Sequence, residues 1–181
     1  MHRDPVMKKL CAKYPPFKPR PALLFDALAR SIVSQQLSGK AADTIWNRLL
    51  GKYPLDPNAL YQAKASDLRE IGLSWAKAGY INDLSRFALE GGLEDAEKLS
   101  DDDLVRHLTQ IKGIGVWSCE MVLMFALRRQ DIWPIGDLGI RKAAENLYNL
   151  TEKRDLLELG ERFRPYRSHA AWYMWRSLEN R

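Results

Sequence analysis

Hydrophobic residues recur along the chain at intervals of three or four positions, which is the spacing of amphipathic helices. Leu24, Leu28, Ile32 and Val33 follow this spacing, and a second run with the same period begins at Ala41. Strands would alternate apolar and polar residues, and no stretch of the sequence sustains that alternation. The pattern therefore predicts an all-α fold.

One stretch, LTQIKGIGVWSCEMVLMFAL at residues 108–127, interrupts this pattern in an informative way. A predicted helix ends at Lys112-Gly113-Ile114-Gly115, and an apolar helix begins directly afterwards. The two glycines allow a close approach of the backbone, and the amides that open the second helix favour a phosphate. We interpret residues 108–118 as a helical hairpin that binds a DNA backbone. The stretch LREIGLSWAKAGYI, at residues 68–81, reads as a degenerate copy of it.

Composition limits the expected binding partner and cellular setting of the protein. The chain has 181 residues, a net charge of +5 and a pI near 9.2, which fits a polyanionic partner. Ordinary solvated charge explains these values equally well. Two cysteines cannot form a disulfide framework or a four-thiolate cluster site, so we expect a reduced, cytoplasmic setting. No apolar run reaches the roughly 18–20 residues needed to cross a bilayer, so no membrane association is expected.

Asp137 is the strongest candidate for chemistry, because it follows a Pro/Gly turn in PIGDLGIRKA and opens a predicted helix. It is either a simple N-cap or a carboxylate fixed where a developing positive sugar needs it. Trp117, just inside the hairpin's second helix, is either a core residue or an aromatic beside a base. Tyr166 precedes the last helix, whereas Trp172, Tyr173 and Trp175 within that helix are interpreted as core. His2, His107 and His169 are too scattered for a metal site.

Five segments together resemble the helix-hairpin-helix DNA glycosylase superfamily, and within it the 3-methyladenine DNA glycosylase II branch. They are IVSQQLSGKAA, LREIGLSWAKAGYI, IKGIGVWSCEMVLMFAL, PIGDLGIRKA and RPYRSHAAWYMW, in family order over about residues 22–178. The resemblance implies a bilobal all-α fold with DNA and the flipped base in a cleft between lobes. Lobe A would comprise residues of about 1–30 and 138–181, and lobe B about 31–137.

The resemblance also implies roles for individual residues. Asp137 matches the catalytic aspartate, and Gln36 or Leu37 matches the segment that wedges into the base stack. Trp117 and Tyr166 match aromatics of the base pocket. The hairpin residues that would bind the DNA backbone are Lys112, Gly113, Ile114 and Gly115. The backbone carbonyls expected to hold a structural Na⁺ or K⁺ are those of Thr109, Ile111 and Ile114.

Departures from the family pattern narrow the expected activity. Trp117 occupies the position of the lysine that superfamily members with lyase activity carry, so we expect a monofunctional enzyme without a Schiff-base nucleophile. Neither the iron–sulfur cluster nor the N-terminal β-domain of some relatives is expected, and no cofactor is required. Gly136 replaces a second carboxylate found in many relatives.

The expected function is release of alkylated purines, such as 3-methyladenine and 7-methylguanine, from double-stranded DNA by a monomeric hydrolase of base-excision repair. Two alternatives stay open at this point. One is a non-catalytic lesion sensor that uses the same hairpin, and the other is a glycosylase for deaminated or etheno bases.

Overall fold

The computed structural model describes residues 4–179, and all regular elements in that range are helical. The all-α prediction is therefore confirmed. The α-helices are α1 Pro5–Lys13, α2 Leu24–Ser34, α3 Gly39–Lys52, α4 Pro57–Gln62, α5 Ala65–Glu70, α6 Trp75–Leu89, α7 Asp101–Leu108, α8 Val116–Phe125, α9 Leu138–Tyr148, α10 Lys153–Glu161 and α11 Arg167–Arg176. A short 3₁₀ helix, Ala96–Lys98, precedes α7. Among the described residues, no helix combines the length and apolar character that crossing a bilayer requires.

The chain divides into two compact units. The first contains the described residues up to Arg20 and those from Leu123 onward, and the second is Pro21–Val122. These bounds differ from the expected lobes at both joins. The helix α2 belongs to the second unit because its buried face packs against α3 and α6. The loop before α9 belongs to the first unit, where Trp133 is buried and donates its indole N–H to the Leu156 carbonyl at 2.9 Å.

In the second unit, serines define the starts of three helices. The hydroxyls of Ser38, Ser74 and Ser100 accept hydrogen bonds from backbone amides in the first turns of α3, α6 and α7. The helix α6 is central, since α2, α4 and α5 all pack against it. Its buried residues include Ile81 and Leu84. The helix α6 is therefore the element around which α2, α4 and α5 are arranged.

In the first unit, a buried carboxylate fixes the first helix. Asp4 caps α1 by accepting hydrogen bonds from the Val6 and Met7 amides. The same carboxylate accepts hydrogen bonds from the Tyr148 hydroxyl at 3.0 Å and from Arg162 at 2.6 Å. Burial, with the negative charge of Asp4 next in importance, raises the pKa of Tyr148. The phenol therefore remains a donor, and α1 is tied to α9 and to the end of α10.

Candidate active site

Asp137 lies immediately before α9 and is half-buried. Its carboxylate Oδ1 accepts a hydrogen bond from the Ile140 amide at 2.9 Å, which is the geometry of an N-cap. Its own amide donates to the Pro134 carbonyl at 2.9 Å. The N-cap interpretation of Asp137 is thus confirmed, and the carboxylate is fixed in direction at the positive end of the helix.

A second donor reaches the same oxygen from the last helix. The Trp175 indole N–H donates to Asp137 Oδ1 at 2.8 Å. Gly139 makes this approach possible, because a Cβ there would lie 2.9 Å from both Asp137 Oδ1 and the Trp175 ring. The interpretation of Trp175 as core packing missed this bond. Its only trace in the sequence is a glycine two residues after Asp137, which does not identify a partner.

An aromatic series connects Tyr166 to Trp175 within the first unit. Tyr166, which is 48% exposed, meets His169 edge to face at 6.0 Å between ring centroids. His169 meets Phe17 at 5.4 Å, Phe17 meets Phe125 at 5.4 Å, and Phe125 stacks on Trp175 at 6.0 Å. Burial lowers the pKa of His169, so its ring is neutral at pH 7. The structure therefore joins Tyr166 and Asp137 through packed rings.

A cavity of about 240 Å³ opens beside this aromatic series. Its lining residues are Phe17, Pro19, Arg128, Arg129, Gln130 and His169. Neither Asp137 nor Tyr166 is among them. Since Asp137 is the candidate catalytic carboxylate and does not line this cavity, we do not place the candidate active site in it.

The hairpin before α8 uses its backbone amides alternately. The Lys112 amide donates to Asp83 Oδ2 at 3.0 Å, and the Ile114 amide donates to the Ile111 carbonyl at 3.0 Å. Within the part of the chain that the structure describes, the amides of Gly113 and Gly115 have no hydrogen-bond partner. Two of the four hairpin amides are therefore available to an external acceptor.

Gly113 is required at its position for two reasons. Its φ is +83°, and a Cβ there would lie 2.3 Å from the Tyr80 ring. Gly115 differs, because a Cβ at that position meets nothing within 4 Å. The ring of Tyr80 thus packs directly against the turn, and the two glycines of the motif serve different purposes.

Asp83, on α6, anchors the hairpin by accepting a hydrogen bond from the Lys112 amide. Burial alone would raise the pKa of Asp83, but hydrogen bonds from the Lys112 amide and Arg86, with the positive charges of both residues, outweigh burial and lower it. The carboxylate is 15% exposed. Asp83 therefore remains charged near neutral pH and holds the Lys112 amide in place.

The segment predicted to wedge into DNA forms a tight turn after α2. Gln35 has φ −52° and ψ 134°, Gln36 has φ +57°, and the Leu37 amide donates to the Ser34 carbonyl at 3.2 Å. These values define a type II turn with Gln36 at its third position. Glycine or asparagine is usual there, so Gln36 carries a backbone cost of about 1–2 kcal/mol. Both Gln36 and Leu37 are exposed.

Trp117 lies in the first turn of α8, in the second unit, and is 47% exposed. Its neighbour Val116 is 56% exposed, whereas Ser118 and Cys119 are buried. Burial raises the pKa of Cys119 to about 12, which excludes it as a thiolate near neutral pH. Because Trp117 is about half exposed, its interpretation as a core residue is wrong.

The residues expected to hold a monovalent cation surround the same turn. Ile111 and Ile114 are buried, and the Ile111 carbonyl accepts only the Ile114 amide among the described contacts. Because a carbonyl oxygen has two lone pairs, the donor set suits a hard cation. Among residues 4–179, no cluster of three or more His, Cys, Asp or Glu could hold a metal ion. His107 and His169 lie in different units, and His2 lies outside the described residues.

The fold and the hairpin define a class of DNA repair protein. The chain belongs to the HhH-GPD superfamily of base excision DNA repair proteins, whose family model matches residues 29–165. It is 36% identical to DNA-3-methyladenine glycosylase 1 of Schizosaccharomyces pombe over 84% of this chain and 72% of that protein. It is 32% identical to a putative DNA-3-methyladenine glycosylase of Bacillus subtilis, over 86% of this chain and 59% of the relative.

Solved structures agree with these similarities. The 3-methyladenine DNA glycosylase of Schizosaccharomyces pombe, in complex with abasic DNA, matches with a TM-score of 0.85 and 32% identity. That match covers 96% of this chain and 91% of the other. The expected family is therefore confirmed, together with its helix-hairpin-helix fold.

Proposed function

We propose that this protein is a monofunctional, monomeric DNA glycosylase that hydrolyses the N-glycosidic bond of alkylated purines, such as 3-methyladenine and 7-methylguanine, in double-stranded DNA. The observation that carries the proposal is the fixed carboxylate of Asp137, whose Oδ1 accepts two hydrogen bonds. Similarity to enzymes named 3-methyladenine glycosylases supports the choice of substrate.

The chemistry suits a substrate that is already activated. N-alkylated purines carry positive charge, so the bond to the sugar is weakened before the enzyme acts. Asp137 stabilises the oxocarbenium-like sugar as the base departs and orients the attacking water. No residue forms a covalent link to the sugar in this scheme, which agrees with Trp117 at the position where lyases carry lysine.

Binding is assigned to the hairpin and to exposed aromatic residues. The amides of Gly113 and Gly115 donate hydrogen bonds to phosphate oxygens at the start of α8, and Lys112 adds positive charge. The carbonyls of Thr109, Ile111 and Ile114 would hold a monovalent cation, and that ion would supply further positive charge at the hairpin. Trp117 and Tyr166 each offer an aromatic face to a cationic base.

Gln36 is the proposed wedge. Flipping a damaged base out of the duplex costs a few kcal/mol, and a side chain that fills the gap offsets part of that cost. The left-handed backbone at Gln36 favours it over Leu37, because strained exposed residues are characteristic of functional positions. Leu37 follows as the closing residue of the turn.

Base release from methylated DNA tests the proposal directly. The protein is incubated with a panel of duplexes that carry alkylated, deaminated or etheno bases, and the free bases are identified by chromatography. Release of 3-methyladenine is expected, and Asp137→Asn should lower its rate by about 100-fold or more. Asparagine also caps helices, so this variant should retain the melting temperature of the parent.

Other results would select among the alternatives. Tight binding to alkylated or abasic DNA without release of any base would indicate a lesion sensor. Release of only deaminated or etheno bases would assign a different substrate. Strand cleavage without alkali would contradict the absence of lyase activity, and unchanged turnover by Asp137→Asn would contradict the mechanism.

A further inference from the structure

One face of α6 contacts both the wedge turn and the DNA-binding hairpin of the second unit. Lys77, Tyr80 and Asp83 recur at intervals of three residues, so they lie along one side of the helix. We call these three residues the α6 contact face. None of them was singled out as functional from the sequence, and no part of the proposed chemistry uses them.

Lys77 contacts the wedge turn. Its ammonium donates hydrogen bonds to the Val33 carbonyl at 2.9 Å and to the Gln35 carbonyl at 2.5 Å. These carbonyls flank the end of α2, where the helix dipole favours a cation. Burial lowers the pKa of Lys77, so the ammonium incurs a desolvation cost in this position. The side chain of Lys77 therefore links α6 to the end of α2 and to the turn that follows it.

Tyr80 and Asp83 contact the hairpin. The Tyr80 ring occupies the space where any side chain at position 113 would project, and Asp83 accepts the Lys112 amide. Both contacts leave the amides of Gly113 and Gly115 available. The α6 contact face therefore fixes the hairpin from one side without occupying the groups that we assign to phosphate.

A direct bond joins the two elements that this face supports. The Gln35 side chain donates from Nε2 to the Gly113 carbonyl at 2.7 Å. Gln35 precedes Gln36 in the type II turn, so this hydrogen bond links the wedge turn directly to the hairpin. The helix α6 contacts both the turn and the hairpin, and the turn and the hairpin also contact each other.

We propose that Lys77 is a positioning residue that, together with Gln35 and Asp83, fixes the wedge turn against the hairpin before DNA binds. This inference rests on the proposed function, since it assumes that Gln36 enters the duplex. Preorganisation matters because Gln36 adopts a strained backbone. Without Lys77, the turn relaxes and the wedge must be reordered during base flipping. The loss then falls on flipping and on the chemical rate, whereas hairpin binding to undamaged phosphates persists.

The decisive experiment measures wedge insertion separately from binding and base release. Duplexes carry 2-aminopurine next to an abasic-site analogue, and its fluorescence rises when a wedge unstacks it. Lys77→Met should slow this rise and the single-turnover release of 3-methyladenine by about tenfold, with affinity for undamaged DNA within about twofold. Lys77→Arg should retain most of the parent's rates of fluorescence rise and base release, because a guanidinium can also donate to two carbonyls.

Two further variants give contrasting signatures. Asp83→Ala should lower affinity for undamaged and abasic duplexes alike, by about tenfold, because it releases the hairpin. Lys98→Met is the matched control, since Lys98 is an exposed lysine of the same unit whose ion pair is with Asp95. It should leave fluorescence, affinity and base release unchanged. Where Lys77→Met lowers the melting temperature below the assay temperature, Gln35→Leu tests the same linkage with Lys77 retained.

The outcomes separate this inference from the proposed function. A parent protein that raises the fluorescence but releases no base would contradict the glycosylase activity, while the comparison of Lys77 variants would still decide the positioning role. Equal fluorescence kinetics in the parent, Lys77→Met and Gln35→Leu would overturn the inference. So would a loss in Lys77→Met that affects undamaged DNA as strongly as the lesion duplex. Absence of any fluorescence change with the parent would remove the wedge assignment itself.

Discussion

Trp175 donates its indole N–H to Asp137 Oδ1 across 2.8 Å, and the Ile140 amide donates to the same oxygen across 2.9 Å. The two donors come from different helices, α11 and α9. Their convergence on one oxygen fixes the orientation of the carboxylate, which a helix cap alone would leave freer to rotate. Gly139 permits the approach, because any side chain there would meet both partners.

Trp175→Phe should therefore reduce the rate of base release without reducing DNA affinity. Phenylalanine retains stacking on Phe125 but cannot donate a hydrogen bond to the carboxylate. We expect the single-turnover rate constant to fall by about tenfold, as for loss of one hydrogen bond to a charged group. The dissociation constant for an abasic duplex should change by less than about twofold. Rapid-quench kinetics and fluorescence anisotropy measure the two quantities.

The same helix provides the control for this variant. The Trp172 indole donates to the Pro15 carbonyl at 3.2 Å, so Trp172→Phe removes a similar bond that does not involve the carboxylate. Its release rate should match that of the parent. An equal loss of rate in both variants would show that Trp175 acts only through the stability of α11.

The two hairpin glycines should respond differently to alanine. Gly113→Ala requires a non-glycine residue at φ +83° and displaces Tyr80, so it should lower both the melting temperature and DNA affinity. Gly115→Ala meets no atom within 4 Å, so stability should change by less than about 0.5 kcal/mol. Its methyl group lies beside an amide that we assign to phosphate, so affinity should still fall. Thermal denaturation and binding titrations distinguish the two responses.

Gly51→Ala is the matched control for both substitutions. Gly51 lies in α3, where a Cβ also meets nothing within 4 Å, and alanine there should leave DNA affinity unchanged. If Gly115→Ala bound DNA as tightly as the parent, the assignment of its amide to a phosphate would be wrong.

Local sequence rules predicted much of this structure. The cap at Asp137 and the glycine break at Gly113 each depend on residues within four positions, so they can be read from one sequence. Periodic apolar residues likewise gave the all-α class. These features can be predicted without knowing any contact between distant residues.

The remaining features depend on contacts between distant residues. Gln35 and Gly113 are 78 positions apart, and Asp137 and Trp175 are 38 apart. No periodicity or motif specifies such pairs, because many folds place a glutamine or tryptophan at similar spacing. The expected lobe boundaries differed for the same reason. Whether α2 joins one unit or the other depends on which helices its apolar face packs against. The sequence pattern of α2 predicts only that it has an apolar face.

The charge of Asp83 should make its contribution to stability depend on pH. The folded protein lowers the pKa of Asp83 below its ordinary value of 3.8, so the ionised carboxylate favours the folded state. This contribution is fully present above the unfolded pKa and is lost as the pH falls through the lower folded pKa. Asp83→Asn removes the charge, but its amide oxygen can still accept the Lys112 amide.

The free energy of unfolding of the parent should therefore exceed that of Asp83→Asn at about pH 7, and the difference should shrink as the pH approaches about 3. Urea denaturation of both proteins across this range measures the difference directly. A difference that stays constant over the whole range would mean that the carboxylate acts only through its shape and hydrogen bonding. In that case the hairpin anchor would not depend on charge, and Asp83→Asn should also bind DNA as the parent does.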